Sequence, residues 1–167
     1  MDALTLLKQD HAEVKELFAQ FEALGERAVA SKERLYRKIQ DALELHTSLE
    51  EAIFYPALKQ RAEDTEERDT VLEAFEEHAV AKNLIEQLRS LDPSEETFVP
   101  KITVLMESVR HHIKEEEGPL FKIARQLMEK DELAELGEEM AEAKRQARQN
   151  KRSSVTGEVA APSRRGA

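Results

Sequence analysis

Apolar residues recur every three or four positions in four long segments of this chain. That spacing places side chains on a single face of an α-helix. The first segment ends near Gly25, the second near Pro56, and the third covers about residues 65–91. The fourth follows the loop signal DPS at residues 92–94, and Gly and Pro at 118–119 are expected to disturb it before it resumes. The pattern therefore predicts four long amphipathic helices.

Short connections between these helices predict an all-α fold, an antiparallel up-down-up-down four-helix bundle over residues 1–130. A further apolar stripe, from about Glu132 to about Gln149, predicts an appended amphipathic helix over residues 131–149. Residues 150–167 show no helical period and are rich in Ser, Gly and Pro. They are expected to form a disordered basic tail.

The first and third helices repeat each other. DHAEVKELFAQFEAL (10–24) and EHAVAKNLIEQLRSL (77–91) share six of fifteen residues at a period of 67. The second and fourth helices also match in part, since HTSLEEAIF (46–54) resembles HIKEEEGPLF (112–121) with one extra residue before the Phe. Each half of the chain is thus predicted to be a helical hairpin, and the two hairpins would pack around a pseudo-two-fold axis.

Six polar residues stand on the apolar stripes, where core side chains are expected. They are a single His on the first and third helices and a His-x-x-x-Glu pair on the second and fourth: His11, His46, Glu50, His78, His112 and Glu116. Residues four apart project from the same face of a helix, so each His–Glu pair can reach one centre. Buried carboxylates are costly without a cation and repel each other. Four imidazoles and two carboxylates suit two transition-metal ions that both carboxylates bridge.

Several of these positions also have an interpretation without a metal. A single buried His is more often a hydrogen-bonded core residue than a ligand, and the matched set in both halves is what favours metal binding. A shifted frame with His111 and Glu115 as ligands leaves the apolar stripe, so His111 is predicted to lie at the surface or behind the ligands. Glu51 and Glu117 are expected to face solvent or pair with Lys. Tyr55 is expected to pack at the end of the bundle rather than offer its hydroxyl to the site.

Charge and composition narrow the range of partners. The net charge is −10, but residues 144–167 hold seven Lys or Arg and one Glu, so the rest of the chain carries −16. An acidic body disfavours nucleic acid as a main partner. Cysteine is absent, which excludes disulfides and thiolate metal sites and suits a reducing cytosol. Neither a signal peptide nor a membrane-spanning segment is predicted, so a cytoplasmic protein without a membrane partner is expected.

Around the six polar residues the chain resembles the hemerythrin-like, HHE cation-binding family. The matching motifs are QDHAEVKELF, ELHTSLEEAIFYP, EEHAVAKNLIEQL and HHIKEEEGPLF, and they cover roughly residues 3–127, the whole predicted bundle. The resemblance implies a four-helix bundle with a non-haem di-iron centre, bridged by an oxo or hydroxo group. It divides the six residues into two iron sites and two bridges: His11 with His46, His78 with His112, and the bridging Glu50 and Glu116.

The chain departs from the oxygen-carrying members of this family at one position. Those proteins have a further His four residues after the His of the third helix, where this chain has Lys82. A protonated Lys is a poor ligand, and the repeat places Lys15 at the equivalent point after His11. One iron would therefore lose a ligand and the two irons would become nearly equivalent, which disfavours reversible oxygen carriage.

Three classes of function follow from these observations. The favoured one is a cytosolic di-iron protein that binds or senses O2, NO or peroxide, or that handles iron. The second is a di-iron enzyme, such as a peroxidase or oxygenase, which would need a substrate-sized pocket beside the metals. The third is a metal-free helical interaction module, in which the six polar residues would have to hydrogen-bond one another. The sequence does not identify a protein partner.

Overall fold

The computed structural model describes residues 1–157, and this part of the chain is helical without any β-strand. Its α-helices are α1 (Ala3–Glu22), α2 (Val29–Leu49), α3 (Tyr55–Arg61), α4 (Thr65–Arg89), α5 (Phe98–Glu115), α6 (Phe121–Leu127) and α7 (Lys130–Gly157). Helices α1 and α2 pack as one hairpin and α4 and α5 as the other, which confirms the predicted all-α bundle. None of the helices in this described part is both long and apolar enough to cross a bilayer.

Two π-helical turns join α2 to α3 and α5 to α6, so that each pair of helices forms one long rod. The turns cover Glu50–Phe54 and Glu116–Leu120, and in each the next backbone amide donates to the carbonyl oxygen of the first residue. The disturbances expected at Pro56 and Pro119 therefore appear as widened turns in continuing helices. Such turns insert one extra residue into an α-helix and often occur at functional sites.

Two apolar clusters fill the bundle, one toward each end. The first includes Leu7 and Phe121, and the second includes Val14 and Ile102. His11 stands between the two clusters on α1, and the other three rods show the same succession of apolar, polar and apolar residues. The polar residues of the stripes therefore lie in the middle of the bundle, closed off from water by apolar packing on both sides.

The appended helix α7 packs along α1 and α2. Leu133 and Met140 are buried in the first apolar cluster. Gly137 lies so close to the first residues of the chain that a Cβ built there would stand 2.2 Å from the carbonyl oxygen of Met1. Only glycine fits this approach, so the crossing of α7 over the start of α1 depends on that residue.

The predicted end of the appended helix at Gln149 is wrong. Helix α7 continues to Gly157, so residues 150–157 are helical, whereas the sequence predicted disorder from residue 150 onward. The rest of the predicted tail, residues 158–167, lies outside the described residues. The predicted division into bundle, appended helix and tail therefore needs a later boundary for the helix.

Basic residues of α7 face acidic residues of the bundle. The pairs join Lys144 to Asp10, Arg148 to Glu13 and Lys151 to Asp41. Ion pairs thus hold α7 against the bundle beyond the residue where its apolar spacing ends. A prediction based on apolar spacing underestimates the length of such a helix for this reason.

Candidate metal centre

The fold brings the six polar residues of the stripes to one place in the middle of the bundle. All of them are buried, with exposures between 0% for Glu50 and 6% for His112. Two carboxylates and four imidazoles thus lie together in a largely apolar interior, away from the bulk solvent. A buried polar atom without a partner costs about 1–3 kcal/mol, so this arrangement favours a group that binds them.

Each carboxylate contacts a His from both hairpins. Glu50 Oε2 lies 3.2 Å from His46 Nε2 and 3.1 Å from His78 Nε2. Glu116 Oε2 lies 3.0 Å from His11 Nε2 and 3.9 Å from His112 Nε2. The two carboxylates thus stand between the imidazoles of one hairpin and those of the other, which is the position a bridging ligand requires.

The ligand atoms form two groups, in each of which all atoms lie within 4.8 Å of one another. One group is His11, His46, Glu50 and Glu116, and the other is Glu50, His78 and His112. We refer to them as the first and the second metal position. Glu50 belongs to both groups, whereas Glu116 belongs to the first. The four His thus lie together as His11 with His46 and His78 with His112, and their division between two metal ions stays a prediction.

Several atoms at this centre are buried and lie close to one another, yet they form no hydrogen bond of acceptable geometry with any described residue. They are His11 Nε2, His46 Nε2, Glu50 Oε1 and Glu116 Oε2. Such orphaned atoms are rare in folded proteins and call for an explanation. Imidazole nitrogens and carboxylate oxygens that converge in this way are the donor set of a transition-metal ion, so the residues fit a metal.

Electrostatics in the metal-free protein point the same way. Burial raises the pKa of Glu50 well above its usual range, and the nearby charge of Glu116 raises it further. Burial lowers the pKa of His46. Burial and the neighbouring His112 lower the pKa of His78 to about 4. His46 and His78 are therefore neutral near pH 7, as metal ligands must be. Although burial opposes it, the contacts with His11 hold the pKa of Glu116 below its usual range. The metal-free pair therefore holds one ionised carboxylate, Glu116, beside Glu50, which keeps its proton.

Each imidazole also faces an outer carboxylate through its other nitrogen. The Nδ1 atoms of His11, His78 and His112 lie 2.8, 2.9 and 2.6 Å from carboxylate oxygens of Glu117, Glu51 and Glu77. For His46 the outer group is Asp10, at 3.8 Å. An Nδ1–H that donates to a carboxylate leaves the Nε2 lone pair free, so this arrangement directs Nε2 of His11, His78 and His112 at the centre. The distance from His46 Nδ1 to Asp10 is too long for a hydrogen bond.

Lysine side chains hold two of these outer carboxylates. Lys82 Nζ lies 2.6 Å from both oxygens of Glu51, and Lys15 Nζ lies 3.5 Å from Glu117. Pairing of Glu51 and Glu117 with Lys was predicted, but their contact with the imidazoles was not. Lys82, which replaces the extra His of oxygen carriers, therefore contacts an outer carboxylate rather than joining the buried cluster.

Sequence reasoning missed the outer carboxylates Asp10 and Glu77. The signal for them was present, because each directly precedes a stripe His, in DHA and EHA of the two repeats. Each faces the His of the next helix, Asp10 of α1 facing His46 and Glu77 of α4 facing His112. Apolar periodicity did not find them because they lie beside the stripe rather than on it.

The expectation that Tyr55 only packs at the bundle end is wrong. Its ring does pack against Phe75, but its hydroxyl reaches the centre. The hydroxyl oxygen lies 3.2 Å from His78 Nε2 and 3.2 Å from Glu116 Oε1, and 3.4 Å from Glu50 Oε2. Burial and the two carboxylates raise the pKa of Tyr55 well above its usual range, so the hydroxyl keeps its proton beside the centre.

His111 lies outside the cluster, as predicted. Its side chain is 66% exposed, and its Nε2 stands 3.5 Å from Glu77 Oε1, behind His112. Glu115 is also exposed. The shifted frame with His111 and Glu115 as ligands therefore does not bring its residues to the centre.

A cavity of about 410 Å³ lies beside the six residues. All four of their imidazoles line it, and much of the remaining wall is apolar, with Leu43, Ile85 and Val109 among its side chains. The Glu51–Lys82 ion pair also contributes to the lining. Pockets of this size hold small organic molecules, so the space beside the centre is larger than a diatomic ligand needs.

Comparisons with known proteins agree with this architecture. The family model of the Hemerythrin HHE cation binding domain matches residues 2–124. A crystal structure of a Hemerythrin HHE cation binding domain-containing protein, the Rv2633c homolog from Mycobacterium kansasii, superposes with a TM-score of 0.77. It is 22% identical and covers 90% of this chain and 89% of that chain, which shows the shared fold.

A curated relative is described as a DNA nickase from Nostoc sp. (strain PCC 7120 / SAG 25.82 / UTEX 2576). It is 25% identical over 157 residues, which are 94% of this chain and 43% of that protein. The chain thus spans less than half the length of this relative. The match to the family model, by contrast, covers most of the chain and includes all six buried His and Glu residues. By that match, the chain belongs to the hemerythrin HHE cation-binding family.

Proposed function

We propose that this protein is a non-haem di-iron protein that binds or senses O2, NO or peroxide, or that handles iron in the cytosol. His11 and His46 would hold iron at the first metal position, His78 and His112 at the second, and the bridges would be Glu50 and Glu116. The observation that carries the proposal is the buried convergence of imidazole nitrogens and carboxylate oxygens without hydrogen-bond partners. A mixed donor set of this kind suits iron among the transition metals.

The chain's own residues would prepare the centre for a small ligand. Bound iron would supply redox chemistry and a place for a small ligand. The outer carboxylates would orient Nε2 of His11, His78 and His112 toward the metal, and the apolar side chains of the cavity would surround the ligand. The Tyr55 hydroxyl, which lies among the ligand atoms, would offer a proton or a hydrogen bond to a ligand at the second position. Because Lys82 contacts Glu51, the proposal favours sensing or chemistry over reversible oxygen carriage.

Iron stoichiometry tests this function directly. Protein reconstituted with ferrous iron under anaerobic conditions and then desalted should retain about two iron ions per chain, because the ligands form two groups that share Glu50. Elemental analysis gives the ratio, and an absorption spectrum before and after exposure to air reports whether the centre reacts with oxygen. Zinc- and manganese-loaded samples serve as controls for the identity of the metal.

A plateau near one ion would contradict the dinuclear centre. Retention of no metal, with the same melting temperature in metal-treated and metal-free protein, would instead favour the metal-free helical interaction module. In that case hydrogen bonds among the six buried residues, such as the 3.1 Å contact between the Nε2 atoms of His78 and His112, would have to hold the core together.

A di-iron enzyme is the second candidate function, and the cavity favours it. An enzyme that acts on an organic molecule needs a chamber beside the metal, and the cavity of about 410 Å³ touches the imidazoles of all four buried His. Its apolar walls would accept the carbon skeleton of an organic hydroperoxide and leave the oxygens at the centre. A protein that handles only diatomic ligands would not need this volume.

Filling the cavity separates the two candidates. Ala81 is buried and lines the cavity, so Ala81→Leu should fill part of it. Consumption of cumene hydroperoxide by the iron-loaded protein should fall by roughly tenfold or more, while consumption of hydrogen peroxide changes little. Ala79→Leu, on the exposed face of α4, is the matched control. Equal rates for both peroxides in all three proteins would argue against an enzyme with an organic substrate.

Nucleic acid is not proposed as a partner, although one relative is described as a DNA nickase. Basic residues that would form an electrostatic footprint on α7 are paired within the chain, Lys144 with Asp10 and Lys151 with Asp41. The remainder of the chain is strongly acidic. Cytoplasmic localisation stays a prediction.

A further inference from the structure

The outer carboxylates of the two metal positions have different ion-pair partners. Glu117 and Glu51 meet Lys15 and Lys82, which belong to the bundle and occupy equivalent places in the two repeats. The other two carboxylates, Asp10 and Glu77, are also equivalent in the repeat, yet their surroundings are not alike. Asp10 meets Lys144 of the appended helix, whereas Glu77 meets the exposed ring of His111.

This difference breaks the pseudo-two-fold symmetry of the centre. In the second metal position, His112 is backed by Glu77, at the edge of the bundle and next to an exposed side chain. In the first, His46 is backed by Asp10 beneath α7. Because Lys82 replaces a ligand, the sequence predicted two nearly equivalent iron sites. The groups that contact the outer carboxylates of the two sites differ, however.

The contact between Lys144 and Asp10 is much better shielded from water than the other ion pairs of α7 with the bundle. Their side chains are 17% and 6% exposed, whereas those of Lys151 and Asp41 are 58% and 51% exposed. Removing one partner of a buried pair leaves an uncompensated charge in the interior. An exposed pair contributes little because water screens it. Among the basic residues of α7 that pair with the bundle, Lys144 is therefore the one whose loss should change the surroundings of a buried group.

Asp10 divides its two oxygens between Lys144 and His46. Oδ1 contacts Lys144 Nζ, and Oδ2 stands 3.8 Å from His46 Nδ1. Both Asp10 Oδ2 and His46 Nδ1 are buried and have no hydrogen-bond partner. The contact with Lys144 thus leaves the second oxygen on the Nδ1 side of the imidazole, where Glu117, Glu51 and Glu77 meet the other three rings, but farther from the ring than those carboxylates are.

We propose that Lys144 is a positioning residue of the first metal position, which holds Asp10 behind His46 so that the appended helix completes the metal centre. This inference rests on the proposed function, since it assigns a role toward the iron bound by His11 and His46. It makes α7 part of the site rather than an external addition to the bundle. It also makes the two metal positions unequal in affinity when Lys144 is lost.

Titration with ferrous iron against a competing chelator, under anaerobic conditions, tests the proposal. Lys144→Met should weaken one of the two irons by roughly 10- to 100-fold, the range observed for groups behind a ligand, and leave the other close to wild type. Lys151→Met makes the same substitution two turns further along α7 at an exposed pair, and both irons should bind as in wild type. Lys144→Arg, which keeps the charge, should restore part of the loss.

A double-mutant cycle separates positioning from a merely structural role. If Lys144 acts through His46, Lys144→Met should add little to the loss already caused by His46→Ala. If it only docks α7, the same loss should appear in both backgrounds, with a lower melting temperature of the metal-free protein, and the proposal is overturned.

Unchanged or stronger binding of both irons by Lys144→Met would also overturn it. In those cases the proposed function stands, because wild type still binds two irons. Failure of the wild type to bind iron would overturn the proposed function and this inference together.

Discussion

Glu50→Gln should lower iron binding at both metal positions, by more than about 100-fold, while the metal-free protein stays folded. Glu50 Oε2 lies between His46 and His78, so this side chain belongs to both groups of ligand atoms. Glutamine keeps the shape but cannot supply a bridging anion. Loss of a direct ligand exceeds the roughly 10- to 100-fold effect of groups behind it. The measurement is iron affinity by chelator competition.

The same substitution should have the opposite effect on the metal-free protein. Burial and Glu116 raise the pKa of Glu50 in the folded state above its value in the unfolded chain. A carboxyl with a raised pKa reduces stability as the pH rises above the unfolded value, since the unfolded state then releases its proton first. At pH 7, metal-free Glu50→Gln should therefore melt at the wild-type temperature or higher.

Glu115→Gln is the matched control for this variant, because Glu115 is exposed at the end of α5 and directly precedes Glu116. It should bind iron as wild type does. Two irons bound by Glu50→Gln with wild-type affinity would show that Glu50 is not a bridge. A large loss in Glu115→Gln would revive the shifted frame of the fourth long helix.

His112→Ala should weaken one iron by more than about 100-fold, whereas His111→Ala should have a much smaller effect on either iron. His112 is buried, and its Nε2 lies 3.1 Å from Nε2 of His78 within the second metal position. His111 is 66% exposed, and its ring contacts Glu77. Loss of a ligand therefore contrasts with loss of a group behind an outer carboxylate. Chelator competition on both variants, after circular dichroism has shown them folded, gives the two affinities.

The two adjacent histidines control for each other, since the same substitution is made one residue apart. If His111→Ala releases iron and His112→Ala does not, the assignment of the buried face of α5 is wrong. If both variants bind iron like wild type, neither His is a ligand and the second metal position fails. A loss confined to His112→Ala supports the proposed ligand set.

Apolar spacing was enough to predict the architecture and the six buried polar residues. A helix has a fixed period, so a His at position 46 and a Glu at position 50 share a face whatever surrounds them. The repeat at a period of 67 then placed equivalent residues in the other hairpin. These are properties of local geometry and of internal symmetry, and both are visible in a single sequence.

Contacts between distant segments could not be predicted in the same way. Glu117 reaches His11 across 106 residues, and Glu51 reaches His78 in the other hairpin. The pairing of carboxylates with imidazoles depends on how the two hairpins pack. Many other Glu residues have similar neighbours in the sequence, so local sequence does not single out the ones that contact a His. The sequence therefore indicated Lys partners for Glu51 and Glu117 but not their imidazole partners.

Periodicity and burial follow from local spacing, so the helical bundle, its internal repeat and the set of buried His and Glu residues can be deduced from the chain alone. The remaining features depend on how the four rods and α7 pack against one another. The π-helical turn after Glu50 carries the Tyr55 hydroxyl into the centre, since it shifts the following residues around the rod. Packing of α7 brings Lys144 to Asp10 across 134 residues. The cavity exists only where four rods meet, so no single segment of the sequence encodes it.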